Sequence, residues 1–195
     1  MKKFRKMLIV TAIFLLSLSG CAAEEKTSGV GAEEMRFEGI LVGETSYEDL
    51  KNLDITPLED IDMSALGNLT TDSMSGHYLS YDGFEVFADE KVQSINISAE
   101  YTGTFWSDLQ INDSLAEVLS KLPQEPQEYV LEYNSTTPIP MDENYTAHLT
   151  VINDENGAPS SKVLALNADG GIILQLEFDA EDKLKSASIN KPSNN

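Results

Sequence analysis

Two histidines and one cysteine are the residues of this chain best suited to proton transfer, metal binding or nucleophilic chemistry. Histidine is the usual general base near neutral pH. Neither His77 nor His148 lies in a His-Glu-x-x-His spacing, and the chain has no Gly-x-Ser-x-Gly elbow. We therefore expect no catalytic residue and no enzyme activity. An envelope hydrolase is the alternative, and it requires a histidine and a carboxylate that converge in one pocket.

Two acidic stretches contain the oxygen ligands that a hard cation prefers. They are residues 59–62 and 153–157, and neither follows the spacing of a calcium-binding loop. The first is typical of a solvated charged run and the second of a turn between strands. We expect no metal and no cofactor, and extracytoplasmic binding of calcium or another small ligand is kept as an alternative function.

The only cysteine, Cys21, follows a segment typical of an exported protein. Four basic residues precede an apolar run from Met7 to Leu18, and this run is shorter than the roughly 20 residues that a membrane-spanning helix needs. A basic start, a short apolar run and then small residues are the pattern of a signal peptide. We assign residues 1–20 to it.

The sequence Leu18-Ser19-Gly20-Cys21 resembles the lipobox of bacterial lipoproteins. That resemblance implies that the Cys21 thiol carries a diacylglycerol and that the chain is cut just before it. It also implies a location at the cell membrane or outer membrane, facing the extracytoplasmic side; Ala22 is not the aspartate that retains similar lipoproteins in the inner membrane. Residues 21–35 are then a lipidated flexible tether. The alternative is an ordinary secretory peptide with a free cysteine.

The charge balance excludes one class of partner. Removing residues 1–20 takes away four of the 13 Lys and Arg residues and none of the 33 Asp and Glu residues, which leaves a formal charge of −24. Such a surface repels nucleic acid and anionic lipid headgroups. We expect membrane attachment through lipidated Cys21, a basic envelope protein as the candidate partner, and no nucleic acid.

An internal repeat divides the rest of the chain. At an offset of 69 residues, Thr45-x-x-Glu48 aligns with Ser114-x-x-Glu117. Each predicts the N-terminal capping box of a short helix. We expect repeats at 36–100 and 101–191, followed by a disordered tail at 192–195.

Alternating apolar and polar residues predict strands after each helix. The predicted strands and hairpins cover 76–81, 84–97, 129–133, 145–152, 162–166 and 172–189, with a loop at Pro138-Ile139-Pro140 and no assignable structure from Ile61 to Ser75. The expected fold class is α+β: two tandem repeats of a short helix followed by an antiparallel β-meander, with the helices packed on one sheet face.

The stretch from Val42 to Leu50, an apolar residue, a glycine, a capping hydroxyl and a helix, resembles the opening of SmpA/OmlA-type lipoprotein domains. Two such units in tandem resemble the β-lactamase-inhibitor-protein fold. The resemblance implies that fold and the binding of proteins. Asn112 stands where such domains have glycine, and asparagine also tolerates a left-handed backbone.

Aromatic residues cluster between the two repeats, at Tyr101, Phe105 and Trp106. Tyrosine and tryptophan dominate the energetics of many interfaces, so these residues are candidates for a protein-binding patch. The alternative is that they pack the second helix onto the sheet. The sequence as a whole favours a lipid-anchored, non-catalytic protein-binding module of the cell envelope.

Overall fold

The computed structural model describes residues 30–66, 75–122, 136–141, 146–154 and 156–192. Cys21, the signal peptide and the predicted strand 129–133 lie outside these residues, as do the last three residues of the predicted tail.

Nine antiparallel strands form one continuous sheet in the described part of the chain. Their bounds are β1 Glu59–Asp62, β2 His77–Tyr81, β3 Phe84–Ala88, β4 Val92–Ile97, β5 Thr136–Pro140, β6 Thr146–Asn153, β7 Pro159–Ala168, β8 Ile172–Phe178 and β9 Leu184–Asn190. The spatial order is β1-β2-β3-β4-β9-β8-β7-β6-β5. The sheet is therefore made of two meanders that meet at β4 and β9.

This architecture corrects the expected fold class. The two described α-helices have four and seven residues, and all nine strands belong to one sheet. The prediction of two helix-plus-meander repeats is wrong, because β4 pairs with β9 through hydrogen bonds. The fold is dominated by the sheet.

The strand turns follow from local sequence. β2 and β3 are joined by Asp82-Gly83, where the positive φ of Gly83, 80°, suits a two-residue hairpin turn. Two hydrogen bonds from Ser98, one from its backbone N–H and one from its hydroxyl, reach the Gly83 carbonyl oxygen. The segment after β4 is thus fixed against this turn.

Helix α1 (Tyr47–Leu50) begins one residue later than predicted. Its N-cap is Ser46, whose hydroxyl accepts from the backbone N–H of Asp49 at 3.1 Å, while the Asp49 carboxylate accepts from the Ser46 N–H at 3.2 Å. Thr45 instead accepts from the backbone N–H of Leu41 at 2.8 Å. Assigning the box to Thr45 and Glu48 is therefore wrong by one position.

Helix α2 (Leu115–Lys121) has the predicted box. The Ser114 hydroxyl accepts from the Glu117 N–H at 3.2 Å, and the Glu117 carboxylate accepts from the Ser114 N–H at 2.7 Å. Before it, Asn112 has a φ of 76°, close to the 80° of Gly43 in the first half. The left-handed backbone expected at Asn112 is confirmed.

The hydrophobic core lies on one face of the sheet, under both helices and the first described residues. Leu50, Leu115 and Val118 contribute from the helices. Val30 and Met35, within the predicted tether, are each 1 % exposed, and Val30 forms a parallel bridge with Ala168. The tether prediction is wrong for residues 30–35, because these apolar side chains are buried in the core.

The Pro138-Ile139-Pro140 segment lies in strand β5 and not in a loop. Ile139 is fully buried, whereas both prolines are exposed. Proline is tolerated in an outer strand because its missing N–H is not needed on the side facing away from the neighbouring strand. The predicted loop is therefore wrong: the two prolines suggested a loop, but Ile139 between them is a buried strand position.

Candidate protein-binding face

The face of the sheet opposite the core, which we call the open face, carries mostly polar side chains, with Ala165 and Pro138 as apolar members of its central row. One row of directly paired residues crosses all nine strands, and none of its members is buried: Glu59, Ser80, Glu85, Asn96, Ser188, Gln175, Ala165, His148 and Pro138. Strand alternation places their neighbours in the core. The open face is therefore a broad surface carrying hydroxyl, amide and carboxylate groups.

A concavity of about 490 Å³ lies at the centre of the open face, where β4 meets β9. No Lys or Arg lines it. Its polar lining residues are Glu85, Asn96, Ser98, Gln175, Glu177, Ser186 and Ser188. Two carboxylates in a lining that contains no Lys or Arg make this depression attractive to positive charge. It is also formed by both meanders, so neither half alone could build it.

Hydrogen bonds hold both carboxylates of the concavity in place. The Ser186 hydroxyl donates to Glu177 Oε2 at 3.1 Å. The Tyr78 hydroxyl donates to Glu85, and this bond, reinforced by partial burial and by the charges of Glu85 and Glu59, raises the pKa of Tyr78 to about 12. Tyr78 is therefore a neutral donor at physiological pH.

The aromatic residues proposed from sequence do not lie on the open face. Phe105 and Trp106 are each 6 % exposed and belong to the hydrophobic core. Neither offers apolar surface to a partner, so both are withdrawn as interface candidates. Tyr101 is half-buried, and its hydroxyl donates to Glu38 at 2.6 Å.

The two histidines lie on opposite faces of the sheet. His148 is on the open face, paired with Ala165 and Pro138. His77 is at the other face, where its ring stacks on Tyr47 with centroids 3.7 Å apart and its Nδ1 lies 3.0 Å from Asp60 Oδ1. The two rings therefore cannot act together in one active site.

The acidic stretches shape the backbone at their own positions. Asp154 accepts from the backbone N–H groups of Asn156 and Ala158, both at 2.9 Å, and these bonds lower the pKa of Asp154. Asp62 accepts from the backbone N–H of Ser64 at 2.9 Å. Among the residues that the structure describes, no group of three or more His, Cys, Asp or Glu side chains is placed to hold a metal ion.

The site residues of the concavity were missed by the sequence analysis, although alternation in each hairpin already marked them as polar positions facing away from the core. The missing information was that β4 pairs with β9. This pairing joins residues far apart in the chain, and no local pattern encodes it.

Comparisons with known proteins find no match among protein-family models, curated proteins or solved structures. No helix in the described part of the chain is long and apolar enough to span a bilayer. The interpretation of the site therefore depends on its own geometry.

Proposed function

We propose that this chain is a lipid-anchored protein of the cell envelope that binds a basic protein partner through the open face of its sheet and catalyses no reaction. The observation that carries the proposal is the concavity at the β4–β9 junction, which is lined by Glu85 and Glu177 and by no Lys or Arg. A basic side chain that enters the concavity would exchange its hydrogen bonds to water for hydrogen bonds to carboxylate, amide and hydroxyl groups that are already positioned.

The breadth of the open face supports a protein as the occupant. The polar row crosses nine strands at roughly 4.8 Å per strand, which gives a surface about 40 Å wide. A strip about 40 Å long and roughly 20 Å wide would cover the roughly 800 Å² that each partner buries in a standard protein–protein interface.

The lipid anchor would set the orientation of the domain. The extended chain between Cys21 and Val30 spans at most about 30 Å. Val30 lies beside Ala168, at the end of β7, so this end of the sheet would be held near the bilayer. The open face would then stand beside the membrane, where an envelope protein can reach it.

Site-specific photo-crosslinking from intact membranes tests the proposal. A photo-reactive residue at Gln175, on the open face, is expected to give a discrete adduct with one basic protein. The matched control places the same residue at Ala116, which is exposed on helix α2. We expect the adduct to be absent there and to disappear when Glu85→Gln and Glu177→Gln are combined.

The contrary result is equally specific. Adducts of equal yield from positions 116 and 175, or an adduct that survives the double glutamine variant, would show that the open face does not select the partner. A Cys21→Ala variant separates the anchor from the interface, because it should release the protein from membranes without altering the adduct formed by purified components.

A further inference from the structure

A second row of directly paired residues runs across the open face beside the first. It begins on the outer strand with Ile61 and continues through Tyr78 on β2 and Phe87 on β3. The polar part of the row follows on β4, β9, β8 and β7, as Ser94, Asn190, Ile173 and Asn167. The first three members are apolar or aromatic and lie on adjacent strands. We call Ile61, Tyr78 and Phe87 the anchor patch.

The hydrophobic core does not account for these three side chains. Each of them is partly exposed, whereas Leu79, Val86 and Ala88, which alternate with them, are almost completely buried on the other face. The anchor patch belongs neither to the buried core nor to the partly buried apolar residues that pack against it. A contiguous apolar patch on an otherwise polar face is the surface feature that marks an interaction site.

Tyr78 connects the anchor patch to the acidic concavity of the open face. It is directly opposite Phe87, and its hydroxyl donates to Glu85, which lines the concavity. Directly opposite residues in an antiparallel pair have Cβ atoms roughly 5 Å apart. The hydrogen bond orients a large ring that has only two side-chain torsions, so a partner that packs on the ring loses little affinity to conformational entropy. The aromatic surface and the carboxylate are therefore continuous.

The charge beside the anchor patch has one sign. Glu59 and Glu85 each lie two positions along a strand from a member of the patch, on the same face and at a distance of roughly 7 Å. Neither of the two rows contains a Lys or an Arg. A partner that packs an apolar side chain on the patch is therefore favoured when it also carries a positive charge at that distance.

We propose that the anchor patch receives an apolar side chain of the partner, and that a Lys or Arg beside this side chain reaches Glu85. The proposal rests on the function proposed above, because it concerns the same face and the same basic protein. It adds the apolar half of the recognition. The partner segment presents an apolar and a basic side chain about 7 Å apart, which is the spacing of alternate residues on one side of an extended strand.

The test is calorimetric titration of the full chain, purified in a non-ionic detergent and corrected with empty micelles, with three capped peptides. Arg-Thr-Phe-Thr-Arg places a phenylalanine and two arginines on one side of a strand, and Arg-Thr-Ser-Thr-Arg has the same charge without the ring. We expect the phenylalanine peptide to bind at least about tenfold more tightly, because complete burial of one phenylalanine side chain exceeds that factor. Glu-Thr-Phe-Thr-Glu should show no saturable binding, since its charge is repelled.

Variants of the anchor patch should affect the two arginine peptides differently. Phe87→Ser should weaken the phenylalanine peptide at least about fivefold and the serine peptide less than twofold, because only the apolar contact is lost. Ile61→Ser should give the same selective loss at about threefold, and it lies on the outer strand, where the fold tolerates it if Phe87→Ser does not fold. The matched control Ile152→Ser removes an apolar residue, 43 % exposed, from β6 on the same face. It should change neither peptide by more than twofold.

The outcomes separate this inference from the function on which it rests. Equal binding of the two arginine peptides, or equal losses in Phe87→Ser and Ile152→Ser, would overturn the anchor patch and leave an acidic face that binds basic groups. No saturable binding of the phenylalanine peptide up to about 10 mM would also overturn it. If Glu85→Gln combined with Glu177→Gln left the affinities of both arginine peptides unchanged, the apolar contact would stand, but the charge recognition of the proposed function would be wrong.

Discussion

Ile189 lies at the junction of the two meanders, and its replacement by alanine tests whether the sheet folds as one unit. On the core face a row of paired apolar residues runs through this junction: Leu79, Val86, Ile95, Ile189, Leu174 and Leu166. Ile189 is 1 % exposed and connects the members on β4 to those on β8. Losing it should therefore affect both halves.

The magnitude follows from the burial of the side chain. Ile→Ala at a fully buried position costs about 2–5 kcal/mol, through lost transfer energy and the cavity left behind. For a chain of this size each kcal/mol lowers the melting temperature by roughly 2–4 °C. We expect Ile189→Ala to lower it by about 4–20 °C. The matched control Ser188→Ala, the next residue on the open face, should lower it by less than about 2 °C.

Calorimetry and hydrogen exchange together report the outcome. If the sheet is one cooperative unit, Ile189→Ala gives a single transition at lower temperature, and the amides of both β3 and β7 lose protection to similar degrees. Two separated transitions, with β3 amides protected as before, would refute a single continuous core and restore two independent repeats.

Two further predictions concern backbone and charge. Gly83→Ala should lower the free energy of unfolding in urea at least twice as much as Gly170→Ala. Both glycines have positive φ, but a Cβ at Gly83 would lie 2.6 Å from the Tyr101 Cα, whereas a Cβ at Gly170 meets nothing within 4 Å. Equal losses of stability in the two variants would contradict the close contact at Gly83. The Ser114 hydroxyl and backbone N–H lower the pKa of Glu117 below 4.5. Because the folded-state pKa is the lower one, its stabilisation is present above pH 4.5 and is lost as the pH falls through the folded value. The stability difference between the unaltered chain and Glu117→Gln should therefore narrow from pH 7 to pH 2, and a constant difference would count against the hydrogen bonds of the cap.

Local sequence predicted the elements whose causes are local. The predicted strands 76–81 and 84–97 left Asp82-Gly83 as the turn between them, and glycine provides the positive φ that this turn needs. Ser114-x-x-Glu117 predicted the start of α2. In the first half Thr45 and Ser46 are both capable N-caps, and only the contact between Thr45 and Leu41 decides between them.

The remaining features depend on contacts between distant parts of the chain. Nothing near Ile189 or Ile95 shows that their strands are neighbours, so the merging of two meanders into one sheet was not predicted. The same reason explains why the central concavity was missed. Trp106 was interpreted in two ways because a tryptophan between elements can either pack or protrude, and only the tertiary structure distinguishes these outcomes.

The composition of the outermost strands of the described sheet limits how copies of this chain can associate. β5 presents Pro138 and Pro140, which have no N–H to donate to an approaching strand, and β1 presents the carboxylates of Glu59, Asp60 and Asp62. Both devices oppose the edge-to-edge pairing that makes exposed strands polymerise. Copies of this chain at high local concentration would therefore resist fusing into a larger sheet or a fibre, and their faces would stay free for other partners.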